Sequence, residues 1–189
     1  MSILLLWGAL YWAWVASEVL ILLVTRTRRS SGRVRDRGSL AILWTVILGS
    51  ISGGIYLGET QPHTLFGGAH WVRYASLALL ALGLALRWTA IVTLGRSFSA
   101  NVAIHETQTL NRSGIFGVVR HPSYLGMLVI FVAVGMHSRN WVGLAVTVLP
   151  PMAALLYRIH VEEMALGDAF GDEYVAYRKA TKRLIPGIW

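Results

Sequence analysis

The residues richest in chemistry are Arg120-His121-Pro122-Ser123-Tyr124, followed beyond an apolar stretch by Arg158 and the pair Glu162-Glu163. Polar and charged groups are expensive to keep at the ends of apolar spans, so a cluster of them suggests a site. Arg158 and Glu162 are four positions apart and share one face of a helix. A cation and an anion on that face could hold a carboxylate and an amine side by side. The same spacing fits a solvated helix end at which Arg158 simply pairs with Glu162. Pro122 suits the first residue of a helix, where its missing N–H costs nothing. His121 and Tyr124 would then flank a helix start.

Composition says what must position these groups. The chain has 189 residues, 55% of them hydrophobic and 14% charged, with a mean hydropathy of +0.56. Soluble domains are nearer about a quarter charged. The expected fold is therefore all-α: a polytopic membrane protein forming a single membrane domain over 1–189. Cysteine is absent, which excludes disulfides and thiolate metal sites. His63 and His70 lack metal-ligand spacing, so no metal is expected. The net charge of +8 sits mostly in arginine clusters between apolar segments, the pattern of cytoplasmic loops. No basic soluble domain is left over for nucleic acid, and attraction to membrane lipids is the better use of this charge.

Apolar runs at about 3–24, 40–57, 71–94, 123–136 and 141–160 give about five transmembrane helices. The first three (1–94) enclose a basic cytoplasmic loop at 25–38. The second half (95–189) reads as the cofactor and catalytic half, with a helical hairpin at 123–160 and a cytoplasmic tail at 161–189. Residues 137–140 make the tight link of the hairpin, and Pro150-Pro151 should kink its second arm. Gly49, Gly53 and Gly54 permit close helix contact in the second span. Glu18 and Arg87 each lie near the cytoplasmic boundary, where snorkelling accounts for both; a buried pair between them is the alternative. The tail alternates apolar and charged residues at helical spacing, as an amphipathic cytoplasmic helix does. The N-terminus would lie outside, with the C-terminus and the site in the cytoplasm.

A longer pattern narrows the function. Ser113-Gly114-Ile115-Phe116, then Arg120-His121-Pro122-Ser123-Tyr124 with Gly126, Arg158, Glu162-Glu163, Phe170-Gly171 and Tyr174 through Tyr177 resemble the signature of the isoprenylcysteine carboxyl methyltransferase family. The resemblance covers 94–186, about the C-terminal half. It implies a membrane methyltransferase that uses S-adenosylmethionine in a cytoplasmic pocket closed by the tail, with lipid substrate entering between helices. Carried over by motif, Gln108, Thr109, Leu110, Asn111, Phe116, His121, Pro122, Ser123 and Tyr124 would touch the cofactor. Glu162 would hold its amino group, and Arg158 the carboxylate of a lipid-like, isoprenylated substrate. Two positions depart from the family pattern: Gln108 stands where histidine is expected, and Phe116 where tyrosine is expected. Glutamine still hydrogen-bonds and phenylalanine still stacks on adenine.

Such chemistry suits these residues. A carboxylate is already a nucleophile at neutral pH, so no general base is needed, in keeping with the lack of an obvious catalytic dyad. A phospholipid N-methyltransferase shares a similar Arg-His-Pro-x-Tyr element, but its amine nucleophile gains nothing from an arginine beside it. An NADPH-dependent sterol-type reductase would normally have more spans. A non-catalytic lipid-binding membrane protein would leave the polar cluster without purpose. Whether His105-Glu106 reaches the pocket stays open, with a solvated loop as the alternative.

Overall fold

The computed structural model describes residues 2–25, 33–34, 38–62, 64–95, 98, 103–104 and 109–187. Six α-helices make up nearly all of it: α1 (Ile3–Thr25), α2 (Ser39–Thr60), α3 (Trp71–Leu94), α4 (Pro122–His137), α5 (Trp141–Phe170) and α6 (Asp172–Ala180). One antiparallel pair of two-residue strands, β1 (Arg33–Val34) and β2 (Ala103–Ile104), joins the loop after α1 to the segment after α3. The fold is thus all-α, as composition demands. Most of the basic loop, Gln108 and His105-Glu106 lie outside the described residues.

Among the described residues, α1, α2, α3 and α5 are long and apolar enough to cross a bilayer. α4 has 16 residues, about 24 Å of helix, shorter than the ~30 Å hydrocarbon core. It is nonetheless the best-buried of the bundle: Met127, Ile130, Phe131 and Ala133 are all essentially inaccessible. α4 packs along α3 and α5, while α2 packs along α5 and α1 leans on α3. Leu5, Leu23, Val24, Leu48 and Val92 are exposed around the perimeter, the surface that lipid tails cover. The chain is an integral membrane protein.

Small residues set the helix spacing. A Cβ on Gly126 of α4 would come 2.7 Å from the backbone nitrogen of Arg87 and 2.8 Å from the Gly83 carbonyl of α3. The backbones touch there, so no side chain fits. In α2, Gly54 abuts Thr147 and Gly53 faces Val146 of α5, but Gly49 faces open space.

The hairpin link behaves as expected, with Asn140 capping α5. Its Oδ1 accepts from the Val142 and Gly143 amides at 2.8 and 3.0 Å. α5 runs unbroken through Pro150 and Pro151.

The boundary between hairpin and tail differs from the sequence reading. α5 does not stop near residue 160; it continues for ten more residues to Phe170, carrying the glutamate pair on its last turns. The apolar pattern ends where the bilayer should end, but Met164-Ala165-Leu166 favour helix and nothing before Gly171 breaks it. Gly171, at φ +52°, turns the chain through a conformation closed to most side chains, and α6 follows directly.

Candidate active site

α4 begins at Pro122, so the motif residues sit at the mouth of the α4–α5 hairpin as their spacing predicts. A cavity opens there. Its walls include Glu18, Ile21 and Leu22 of α1; Leu40, Leu43 and Trp44 of α2; Arg87 and Leu94 of α3; and Thr109, Leu110, Asn111 and Phe116 of the connecting segment. His121, Pro122, Ser123, Tyr124 and Met127 line it from α4, Arg158, Glu162, Ala165 and Leu166 from α5, and Tyr174 and Tyr177 from α6. Every site residue expected from sequence is therefore in the wall except Gln108, which lies outside the described residues. The lining is polar around the start of α4, the end of α5 and the Glu18–Arg87 pair, and apolar at Ile21 and Leu22 of α1 and Leu40, Leu43 and Trp44 of α2.

Arg158 and Glu162 share a helix face, but they do not simply pair. The Tyr124 hydroxyl stands between them, donating to Glu162 Oε2 at 2.8 Å and accepting from Arg158 Nε at 3.1 Å. Arg158 Nη1 donates to Ser39 Oγ at 2.9 Å. Arg158 is 2% exposed, so the guanidinium is held on two sides inside the protein. His121 lies over Tyr124 with the rings nearly parallel and 5.6 Å apart.

The expectation that Glu18 and Arg87 snorkel is overturned. Both are buried, and Arg87 Nη2 donates to Glu18 Oε2 at 2.6 Å, with Arg87 Nε also on Glu18 Oε1. Arg87 Nη1 reaches across to Ser123 Oγ at 2.7 Å. The α3–α4 contact at Gly83 and Gly126 brings Arg87 within reach, and a paired charge need not seek water.

Glu163, beside Glu162, faces the other way and fastens the tail. It accepts from Arg120 Nε at 3.0 Å and lies 2.9 Å from Arg183 Nη2. Arg120 Nη1 also donates to the Thr181 carbonyl at 2.6 Å. Backbone bonds complete the seam: Arg120 N to Lys182 O, His121 N to Arg183 O, and Lys182 N to Val118 O. The tail is thereby tied to the segment that starts α4, and α6 covers the cavity. Tyr177 donates to the Phe116 carbonyl at 2.7 Å. Its phenol is pushed up to about 12 by burial, against the lowering influence of Arg120 and Arg112. Burial raises Tyr174 too, so both phenols are neutral donors at neutral pH.

One buried polar atom in the wall has no hydrogen-bond partner, Tyr174 Oη, on a residue 1% exposed, whereas the buried His121 Nε2 lies 3.4 Å from Glu163 Oε1. Buried polar groups are normally satisfied. The Tyr174 hydroxyl fits a polar ligand better than it fits an apolar wall. No group of three metal-ligating side chains occurs among the described residues.

Sequence reasoning had missed Glu18, Arg87, Ser39, Tyr174 and Tyr177 as pocket residues or supports. Charges within apolar spans were a usable signal for the first two, and the tyrosines belonged to the recognised pattern. Ser39 carried no signal.

Residues 76–168 match the model of the isoprenylcysteine carboxyl methyltransferase (ICMT) family. The chain is 33% identical over 131 residues to protein-S-isoprenylcysteine O-methyltransferase B of Arabidopsis thaliana, covering 62% of this chain and 61% of that one. It is 37% identical over 116 residues to the protein-S-isoprenylcysteine O-methyltransferase of Schizosaccharomyces pombe, covering 60% of this chain and 49% of that one. The chain thus spans about half to three fifths of the length of these relatives. Its fold is similar to a solved structure of the eukaryotic intramembrane Ras methyltransferase ICMT, with a TM-score of 0.64 and 27% identity over 76% of this chain and 52% of that one. The segment 76–168, which holds most of α3, all of α4 and most of α5, is thus the part of the chain that is similar to the isoprenylcysteine carboxyl methyltransferase family.

Proposed function

We propose that the protein is a methyltransferase that uses S-adenosylmethionine to esterify the carboxylate of a lipid-like substrate, such as a prenylated cysteine, at the cytoplasmic membrane face. The carrying observation is the Arg158–Tyr124–Glu162 chain of hydrogen bonds in a cavity that also has an apolar wall at Ile21, Leu22, Leu40, Leu43 and Trp44. It offers a cation for a carboxylate and an anion for an ammonium group, each held in place by the same phenol. The names of the relatives support the carboxyl-directed reading.

The residues present fit the cofactor. Glu162 would take its amino group, Phe116 its adenine face, and Thr109, Leu110, Asn111, His121, Pro122, Ser123 and Tyr124 the rest of its outline. Asn111 is already oriented, since its Nδ2 donates to the Thr93 carbonyl at 3.1 Å. Gln108 would extend this set. The unpartnered Tyr174 Oη would supply a further polar contact. S-adenosylmethionine supplies an activated sulfonium methyl. The chain's own task is alignment: Arg158 orients the substrate carboxylate, and α6 excludes water. Holding two reactants in line can lower a barrier by roughly 7–11 kcal/mol without any general base. The arginine-rich loop that follows α1 favours a cytoplasmic position for this end of the bundle. The lipid portion would lie along the apolar wall of Ile21, Leu22, Leu40, Leu43 and Trp44.

The test is transfer of labelled methyl from S-adenosylmethionine to an S-farnesylcysteine analogue by the purified, detergent-solubilised protein, followed by base. Label released as volatile methanol is expected, because esters hydrolyse and N-methyl groups do not. Label retained in a lipid fraction would contradict the carboxyl assignment.

A further inference from the structure

The Glu18–Arg87 pair takes no direct part in the chemistry assigned to Arg158 and Glu162. Glu18 is on α1, outside the family-matched segment, yet it lines the cavity together with Arg87 and Ser123. The pair is internally complete. Glu18 Oε1 accepts from Trp14 Nε1 at 3.2 Å as well as from Arg87, and Oε2 accepts from Arg87 Nη2. A complete ion pair needs no ligand, and a buried one contributes little net stability compared with apolar packing. What it delivers to the cavity is the third bond, from Arg87 Nη1 to Ser123 Oγ.

That bond fixes the direction of the Ser123 hydroxyl. With the oxygen accepting from a guanidinium, its own proton must point elsewhere. A serine deep in a helix would donate back to a carbonyl one turn earlier. Ser123 is the second residue of α4 and has no such carbonyl. Among the described residues it donates to nothing, although it is 7% exposed and in the cavity wall. Accepting from a cation also makes that O–H a stronger donor.

We propose that Arg87, anchored by Glu18, is a positioning residue: it holds Ser123 as an acceptor so that the Ser123 hydroxyl donates to an oxygen of the bound cofactor. The inference rests on the reading of the cavity as an S-adenosylmethionine site. It makes α1 part of cofactor recognition, through a contact that no residue of the family-matched segment could supply alone.

Binding of S-adenosylhomocysteine to the full chain in detergent, read by calorimetry, tests it. Ser123→Ala should weaken binding about tenfold, the equivalent of one charge-assisted hydrogen bond. The paired change Glu18→Gln with Arg87→Met leaves no lone buried charge and should produce the same loss. Combining all three should cost no more than either alone, because the pair acts only through Ser123. Arg87→Lys, which keeps the charge pair but cannot span to both partners, should match Ser123→Ala while melting like the parent protein. Losses that multiply to about a hundredfold in the triple variant, or parental affinity in Arg87→Lys, would overturn the inference and reduce the pair to a helix fastener. Parental protein that binds no S-adenosylhomocysteine would overturn the cofactor reading itself, and the inference with it.

Discussion

The Tyr124 hydroxyl bridges Arg158 and Glu162, at 3.1 Å from the guanidinium and 2.8 Å from the carboxylate. A cation and an anion four residues apart would ordinarily collapse onto each other. The phenol holds them apart while satisfying both, leaving a site with two poles instead of one neutral pair. Tyr124 arrives from α4 only because Pro122 starts that helix two residues earlier.

Tyr124→Phe should therefore remove the spacer while preserving the ring stacked on His121. Arg158 and Glu162 should relax toward each other, and S-adenosylhomocysteine affinity should fall about tenfold, the scale of one buried hydrogen bond to a charged group. Titration calorimetry on the detergent-solubilised variant checks this. Unchanged affinity would mean that Tyr124 does not organise the cofactor end.

Glu163 is a fastener, not a ligand group. Glu163→Ala leaves Arg120, whose side chain is 7% exposed, without its carboxylate, at a cost on the order of 3 kcal/mol. The tail should loosen from the segment at Val118–His121, with new protease cleavage after Arg178, Lys179 or Lys182. Glu162→Gln should leave the tail protected and weaken cofactor binding. Limited trypsinolysis beside ligand titration separates neighbouring glutamates with opposite duties.

At the α3–α4 crossing, Gly126→Ala puts a methyl 2.7 Å from the Arg87 nitrogen. The helices must part, at about 1–3 kcal/mol, and Arg87 should draw back from Ser123. A lower melting temperature together with weaker S-adenosylhomocysteine binding is expected. Ala133→Gly on the same helix should lower stability without touching affinity.

The buried phenols give the tail a pH dependence. Tyr177 is pushed up to about 12 by burial, above the value near 10 of an exposed tyrosine. A raised folded-state value means that its contribution is fully present below about pH 10 and is lost as pH climbs toward 12. Thermal melting between pH 8 and 11.5 should show tail release at the alkaline end. Tyr177→Phe should flatten that part of the profile.

Much of this was legible in the sequence because it is local. Span lengths, the helix start at Pro122 and the shared face of Arg158 and Glu162 follow from periodicity and backbone chemistry. The expected pocket residues followed from the family resemblance over 94–186, which did not place Tyr174 and Tyr177 in the wall. What escaped is contact between distant parts of the chain. Glu18 and Arg87 are each explained by snorkelling until α1 is known to lie on α3. Ser39 looks like any helix start until Arg158 is found on its hydroxyl. The seam between Val118–His121 and Lys182–Arg183 is made of backbone bonds, which no side-chain pattern announces. α5 overran its apolar pattern because hydrogen bonding continues past the bilayer boundary when no residue stops it.

The central claim is that Arg158 serves the substrate carboxylate and Glu162 the cofactor. Its most direct test is the turnover number of Arg158→Lys at saturating S-adenosylmethionine, measured beside that variant's affinity for S-adenosylhomocysteine. Lysine keeps the charge but loses the planar fork that orients a carboxylate. Turnover should drop on the order of a hundredfold with the affinity unchanged. An equal loss of cofactor affinity, or turnover near that of the parent protein, would contradict the assignment.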